Sequence, residues 1–265
     1  MSKHTEYVAR LPDANGQLFF PQEEHAVWQA LYNRQQGNLT QFACSEYQRG
    51  LEKLNLSNDK IPQLTDIDKV LFDTTGWVTA AVPALISFEK FFALLANKEF
   101  PVATFIRSED EFDYLREPDI FHEVFGHCPL LTNPSFAHFS HMYGQLGLAA
   151  SKQDRVFLAR LYWFTVEFGL IRNKDNSLEI YGGGILSSPG ETLYAMGDTP
   201  LIKPFNLVDV LRTPYRIDIM QPVYYAIDNI EYLDEIVTMD IMGAVDEAKK
   251  LGLFEPLFEP KSKAS

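Results

Sequence analysis

"PDIFHEVFGHCPLL", residues 118–131, sets two histidines and one acid into an otherwise apolar segment. The residues at issue are His122, Glu123 and His127. The two histidines are five apart, which on an ideal α-helix separates them by about 140° around the axis. The zinc-protease pattern H-E-x-x-H keeps its histidines on one face by spacing them four apart. Here the additional residue is Gly126, and Cys128-Pro129 follow. Glycine permits a distortion and Pro129 disfavours helix at Cys128, so His127 is expected to swing off the helix end toward His122. Two histidines at a helix terminus are ordinary buried residues as often as ligands. The reading therefore turns on a third donor.

Glu167 supplies a candidate. It lies in "YWFTVEFGLI" (162–171), whose only other polar side chains are Tyr162, Trp163 and Thr165. Burying an unpaired carboxylate costs several kcal/mol, so such a group is protonated, ion-paired or bound to a cation. The bland reading is a salt bridge to Arg160 or Arg172. The sharper one joins His122, His127 and Glu167 as two imidazoles and one carboxylate with open positions, the facial arrangement of non-haem Fe(II) oxygenases. Zinc with a hydrolytic water competes on the same donors. Cys128 reads as a small buried hydrophobe rather than a ligand.

The rest of the chain bounds the possibilities. At 265 residues, 46% apolar and 13% aromatic, with Phe 20 and Tyr 12, it can bury a sizeable core. Lys plus Arg is 23 against Asp plus Glu 36, a net −13 that repels a phosphate backbone, so nucleic acid is not an expected partner. Cys44 and Cys128 define no disulfide framework. The start, "MSKHTEYVAR", lacks a signal-peptide apolar region, and no run of about 18 apolar residues suggests a bilayer span. A cytoplasmic protein with no membrane partner is expected. Residues 1–25 read as an irregular arm. Helical spacing appears at 23–33, 47–56 and 87–97, the last with Ser87 as N-cap. "FPVATFIR" (100–107) reads as a strand, 155–171 as a helix buried all round, and "YGGGILSS" (181–188) as a turn entering a short strand. Further helices are expected at 206–211 and 240–251. The fold class is mainly α with a few short β-strands, one domain over 1–265.

Taken together, "EPDIFHEVFGHCPLL", "YWFTVEFGL", "YGGGILSSPGE" and "QPVYY" resemble, in the same order, the catalytic domain of the aromatic amino acid hydroxylases. The similarity is strongest from about Asp73 to Ala226, and it is greatest to bacterial members that act on phenylalanine. The resemblance implies Fe(II) held by His122, His127 and Glu167, with tetrahydropterin as co-substrate and O₂ as oxidant. It implies hydroxylation of L-phenylalanine to L-tyrosine, the first step of phenylalanine catabolism. By the same resemblance Arg107 holds the substrate carboxylate, Ser187 lies near that carboxylate and the iron ligands, and Trp163 lines the ring pocket. Phe91 stacks on the pterin, backbone near Leu85 meets its edge, and Glu123 reaches it through water. Taken alone, Arg107 beside Glu109, Asp110 and Glu111 reads as a surface arginine, and Trp163 and Phe91 as core.

Asp119 has two equal readings, as a helix N-terminal cap or as a brace for a ligand imidazole. The sequence departs from the family at Leu115-Arg116, where a threonine that contacts substrate is often found. There is no room for the regulatory domain of animal relatives and no terminal heptads, so a monomer or dimer is expected. Ile217 in "YRIDIMQPVYY" is apolar where tyrosine hydroxylases are expected to have an acid, which favours phenylalanine. The alternatives are a tyrosine or tryptophan hydroxylase, a zinc-dependent hydrolase, or a non-catalytic binding protein on the same fold.

Overall fold

The computed structural model describes residues 7–112 and 117–259. Leu115 and Arg116, where the family threonine is absent, lie outside them. From Tyr7 to the first helix the arm has no helix or strand, yet it is tied down. Tyr7 stacks on Phe105 with centroids 4.3 Å apart, and the Arg10 amide donates to Thr104 O at 2.9 Å. Helix α1 (Gln22–Phe42) is longer than its apolar spacing suggests, and buries Trp28, Leu31, Gln35 and Leu39. Helices α2 (Ser45–Leu54) and α3 (Leu64–Thr75) follow, ending on left-handed residues, Asn55 and Gly76. Strand β1 (Val78–Val82) pairs in parallel with β2 (Glu99–Ala103) across α4 (Phe88–Ala96). Ser87 caps α4 as expected, its hydroxyl accepting from the Lys90 amide at 3.2 Å. The strand in "FPVATFIR" stops at Ala103, and Thr104 to Arg107 carries on without strand pairing.

From Ile120 onward the segment 118–131 is helical, and its helix is not the expected one. Residues Phe121–His127 form a π-helix that runs directly into the short α5 (Cys128–Leu131), with Pro129 in its first turn. His127 therefore does not swing off a helix end. Bonding from i to i+5 replaces i to i+4, so residues five apart come back to one face. Pro129 lacks the N–H that would reach back to Phe125 O, and that carbonyl accepts from the Tyr47 hydroxyl instead. Stacking of Phe121 on Phe125 at 4.5 Å, with Trp28 edge-on to both, packs the opposite face. The Tyr47 hydroxyl donates to Phe125 O at 2.7 Å, bracing the widened turn.

Helix α6 (Pro134–Ala149) starts on Asn133, and α7 (Lys152–Tyr162) on Ser151, both side chains accepting from backbone amides. The helix expected over 155–171 divides in three. α7 is followed by a second π-helix, Trp163–Glu167, and Gly169–Arg172 is strand β3. Nor is it buried all round, since Val156 is exposed. Strand β4 (Leu178–Ile180) pairs antiparallel with β3. "YGGGILSS" is not a turn into a strand. Its centre is a one-turn helix, α8 (Gly183–Leu186), followed by α9 (Pro189–Ala195).

The chain then adds β5 (Leu201–Pro204), α10 (Leu207–Arg212), β6 (Val223–Ile227), α11 (Tyr232–Thr238) and α12 (Ile241–Leu251). The second sheet has the order β4-β3-β6-β5, with β6 parallel to both neighbours. Cys44 and Cys128 are buried free thiols. Among the described residues no helix is long and apolar enough to cross a membrane. The fold is mainly helical, as expected, and one apolar core runs from Leu18 to Ala248.

Candidate metal centre and its cavities

Both π-helices present their donors to one point. His122 and His127 Nε2 lie 3.1 Å apart. Glu167 ends the second π-helix, with Oε2 3.6 Å from His122 Nε2 and Oε1 3.4 Å from His127 Nε2. Neither Arg160 nor Arg172 pairs with Glu167. The Arg160 guanidinium instead donates to Val156 O at 2.9 Å. Two nitrogens and a carboxylate oxygen pair facing one another is an arrangement a single cation satisfies, and the donor set suits Fe(II) or Zn(II).

Glu123 also brings a carboxylate oxygen within 4.8 Å of ligand atoms of both histidines, so proximity alone names two third donors. Geometry and charge favour Glu167. Each of its oxygens faces a different imidazole, and although burial pushes its carboxyl upward, His127 and His122 outweigh burial and hold it below the ordinary value. Burial, reinforced by the charges of Glu167 and Asp119, pushes Glu123 well above that range. A protonated carboxyl is a poor ligand. Burial likewise lowers His122 to about 4, against the pull of Glu167, so near neutrality the imidazole keeps its lone pair.

The glycine run explains how the imidazoles sit. A Cβ on Gly183 would lie 2.4 Å from His127 Nδ1 and Cε1, and one on Gly126 would lie 2.6 Å from Gly183 O. The run thus brings backbone against a ligand-candidate ring. Gly183→Ala is expected to displace the His127 ring and weaken metal affinity by about 10- to 100-fold, as loss of a supporting contact does. Metal titration of the purified variant, with far-UV circular dichroism to check the fold, measures it. Unchanged affinity would show that the ring tolerates the methyl.

Asp119 resolves into a cap, not a brace for an imidazole. Its Oδ1 accepts from the His122 amide at 2.9 Å. The same carboxylate holds Arg107 by two side-chain bonds, Nε to Oδ2 at 2.8 Å and Nη2 to Oδ1 at 2.9 Å, and takes the Arg107 amide at 3.0 Å. Both residues are buried, which removes the surface-arginine reading. Burial opposes both charges. Their mutual attraction overrides it, holding Asp119 below the ordinary carboxylate range and Arg107 above its own. The imidazole brace is instead Ser187, whose Oγ is 3.0 Å from His122 Nδ1.

Two cavities meet at this centre. One, of about 340 Å³, is lined by Arg107, His122, Trp163, Glu167, Ser187 and Ile217 among others. The second, of about 430 Å³, is lined by Phe91, Glu123, Tyr143 and Tyr162, and shares Leu85, His122, Trp163 and Glu167 with the first. Of the residues read as holding metal, substrate or pterin, all except His127, which is buried behind the centre, line one cavity or both. Sequence reasoning gave no role to Phe168 and Tyr215, whose rings lie 4.4 Å from Trp163 on centroids, or to Glu191 and Gln221. "QPVYY" was the one signal for Gln221.

A helical domain that brings two imidazoles and a carboxylate together beside an aromatic cleft has the architecture of a mononuclear non-haem metal enzyme. Comparison with known proteins makes this specific. The model of the biopterin-dependent aromatic amino acid hydroxylase family matches residues 7–239, and the chain belongs to that family. It is 57% identical over 262 residues to the phenylalanine-4-hydroxylase of Pseudomonas aeruginosa, covering 99% of this chain and 100% of that one. The Vibrio cholerae phenylalanine-4-hydroxylase is 55% identical over 258 residues, covering 97% and 89%. Among solved structures, the apo cold-active phenylalanine hydroxylase of Colwellia psychrerythraea superposes with a TM-score of 0.92 at 57% identity, over 94% of this chain and 97% of that one. The Chromobacterium violaceum phenylalanine hydroxylase with bound oxidised Fe(III) gives 0.86 at 39% identity, over 95% and 91%.

Proposed function

We propose that the chain is a phenylalanine 4-monooxygenase that hydroxylates L-phenylalanine to L-tyrosine with O₂ and tetrahydropterin. The observation that carries this is the meeting of two differently built cavities at His122 and Glu167. In this reading His122, His127 and Glu167 hold Fe(II), which supplies the binding and activation of O₂. The protein does the rest by positioning and by excluding water. Arg107 receives the amino-acid carboxylate in the smaller cavity. Asp119 occupies two of its five N–H groups, leaving the outer edge of the fork for a second carboxylate. Trp163, backed by Phe168 and Tyr215, forms the wall for the substrate ring, and Ser187 holds the orientation of His122.

The larger cavity takes the pterin. Phe91 offers a ring edge-on to Tyr162 at 5.2 Å, and Leu85 opens on both cavities. Glu123, with its carboxyl pushed up, can donate as well as accept at a heterocycle edge. Anaerobic loading with Fe(II), followed by phenylalanine, tetrahydropterin and air, should yield tyrosine on chromatography. Because Trp163, Ile217 and Ile219 make an apolar wall, kcat/KM for phenylalanine should exceed that for tyrosine and tryptophan. An added hydroxyl is rejected by such a wall only about 10²-fold. Equal or better turnover of tryptophan would overturn the substrate assignment, and activity with zinc but without O₂ would overturn the chemistry.

A further inference from the structure

Gln221 is 1% exposed and its amide is fully committed. Nε2 donates to Arg216 O and to Ile219 O, each at 2.8 Å. With both N–H groups spent on carbonyls, the amide orientation is fixed, and Oε1 is left to accept from the Trp163 indole Nε1 at 3.1 Å. The Gln221 backbone N–H donates to Glu191, which also accepts from the Tyr224 hydroxyl. One side chain thus joins two walls of the smaller cavity. It ties the indole of Trp163, which borders both cavities, and it closes the loop that carries Ile217 and Ile219.

We infer that Gln221 is a positioning residue: it sets the tilt of the Trp163 ring and the loop opposite, and so sets which aromatic ring the cavity accepts. The inference rests on the functional reading above only for the identity of the substrates. The indole of Trp163 has stacking partners on its faces but one hydrogen bond to fix its rotation in plane. Without that bond, a ring that separates the two cavities can rotate, and a misplacement of about 1 Å can cost about 100-fold in rate.

Gln221→Met keeps volume and removes all three side-chain bonds, while Gln221→Glu keeps an oxygen facing the indole but loses the paired donors. In ¹⁵N-labelled metal-free protein, Gln221→Met should speed hydrogen exchange of the Trp163 indole at least tenfold, and Gln221→Glu should slow it again. Trp163→Phe identifies that signal by its loss. With the iron-loaded enzyme, Gln221→Met should lower the phenylalanine-to-tryptophan ratio of kcat/KM by about tenfold or more, and it should lower tyrosine formed per pterin oxidised. A merely destabilising change lowers active protein without moving either ratio. In the Trp163→Phe background the same substitution should have a much smaller effect on both. Unchanged indole exchange with unchanged ratios in Gln221→Met, or full additivity in the double variant, would overturn the role. A wild-type protein that hydroxylates none of the three amino acids counts against the functional reading alone, and indole exchange still decides the positioning role.

Discussion

Replacing Glu167 by alanine is expected to abolish tight iron binding and tyrosine formation together. The two oxygens of Glu167 face different imidazoles at 3.4 and 3.6 Å, so the side chain closes the donor set from the side opposite the first π-helix. Its removal takes one of three candidate protein donors and the carboxylate among them, which leaves two imidazoles 3.1 Å apart. His122→Ala and His127→Ala should behave alike. Glu123→Ala is the instructive companion, because its carboxylate is also within reach of both histidines. Since burial favours its neutral form, that variant should keep its iron and lose pterin affinity instead. Iron content after anaerobic loading and desalting, measured beside far-UV circular dichroism, checks all four. Retained iron and full turnover in Glu167→Ala, with loss of iron in Glu123→Ala, would exchange the roles of the two glutamates.

The residues that meet at this centre were legible in the sequence because polar groups in apolar runs must find partners. A carboxylate among Tyr162, Trp163, Phe164 and Phe168 announces its own cost. The means of assembly was not legible. α-Helical geometry sets His122 and His127 apart, and a glycine three residues before a proline suggested a frayed end. The protein instead changes the hydrogen-bond register of two helices, and the five-residue spacing of His122 and His127, the one trace of that register, fits a frayed helix end equally. The same register shift hid the end of the 155–171 helix, where apolar β-formers such as Leu170 and Ile171 fit either a buried helix or a buried strand. "YGGGILSS" misled for the opposite reason. Its glycines are weak helix formers, yet they are required there, because a Cβ on Gly183 would meet the His127 ring and one on Gly182 the Glu167 carbonyl. The Arg107–Asp119 pair and the Gln221 network are long-range side-chain contacts. Sequence supplied the residues and no hint of the pairing.

That pairing changes what substitution of Arg107 should do. As the proposed carboxylate clamp in a buried site, Arg107 would be worth about 2–5 kcal/mol to substrate binding, roughly 30- to several-thousand-fold in kcat/KM. Arg107→Ala, however, also leaves Asp119 as a buried anion without its cation, a cost of about 3–5 kcal/mol in stability. Because Asp119 Oδ1 caps the His122 amide, a disturbed Asp119 reaches the metal centre as well. The alanine variant is therefore expected to lose stability, phenylalanine affinity and some iron affinity at once. Arg107→Lys separates these. An ammonium can neutralise Asp119 and preserve the cap, yet it lacks the planar fork needed to serve two carboxylates together. It should hold iron and melt near wild type while kcat/KM for phenylalanine stays at least about tenfold down. Asp119→Asn gives the converse, with the guanidinium retained but its orientation loosened and the cap weakened. Steady-state kinetics at saturating pterin and matched iron content, with thermal melts of the same samples, measures each. Wild-type kcat/KM in Arg107→Lys would show that charge alone suffices at this position, and wild-type kcat/KM in folded Arg107→Ala would show that the substrate carboxylate is held elsewhere.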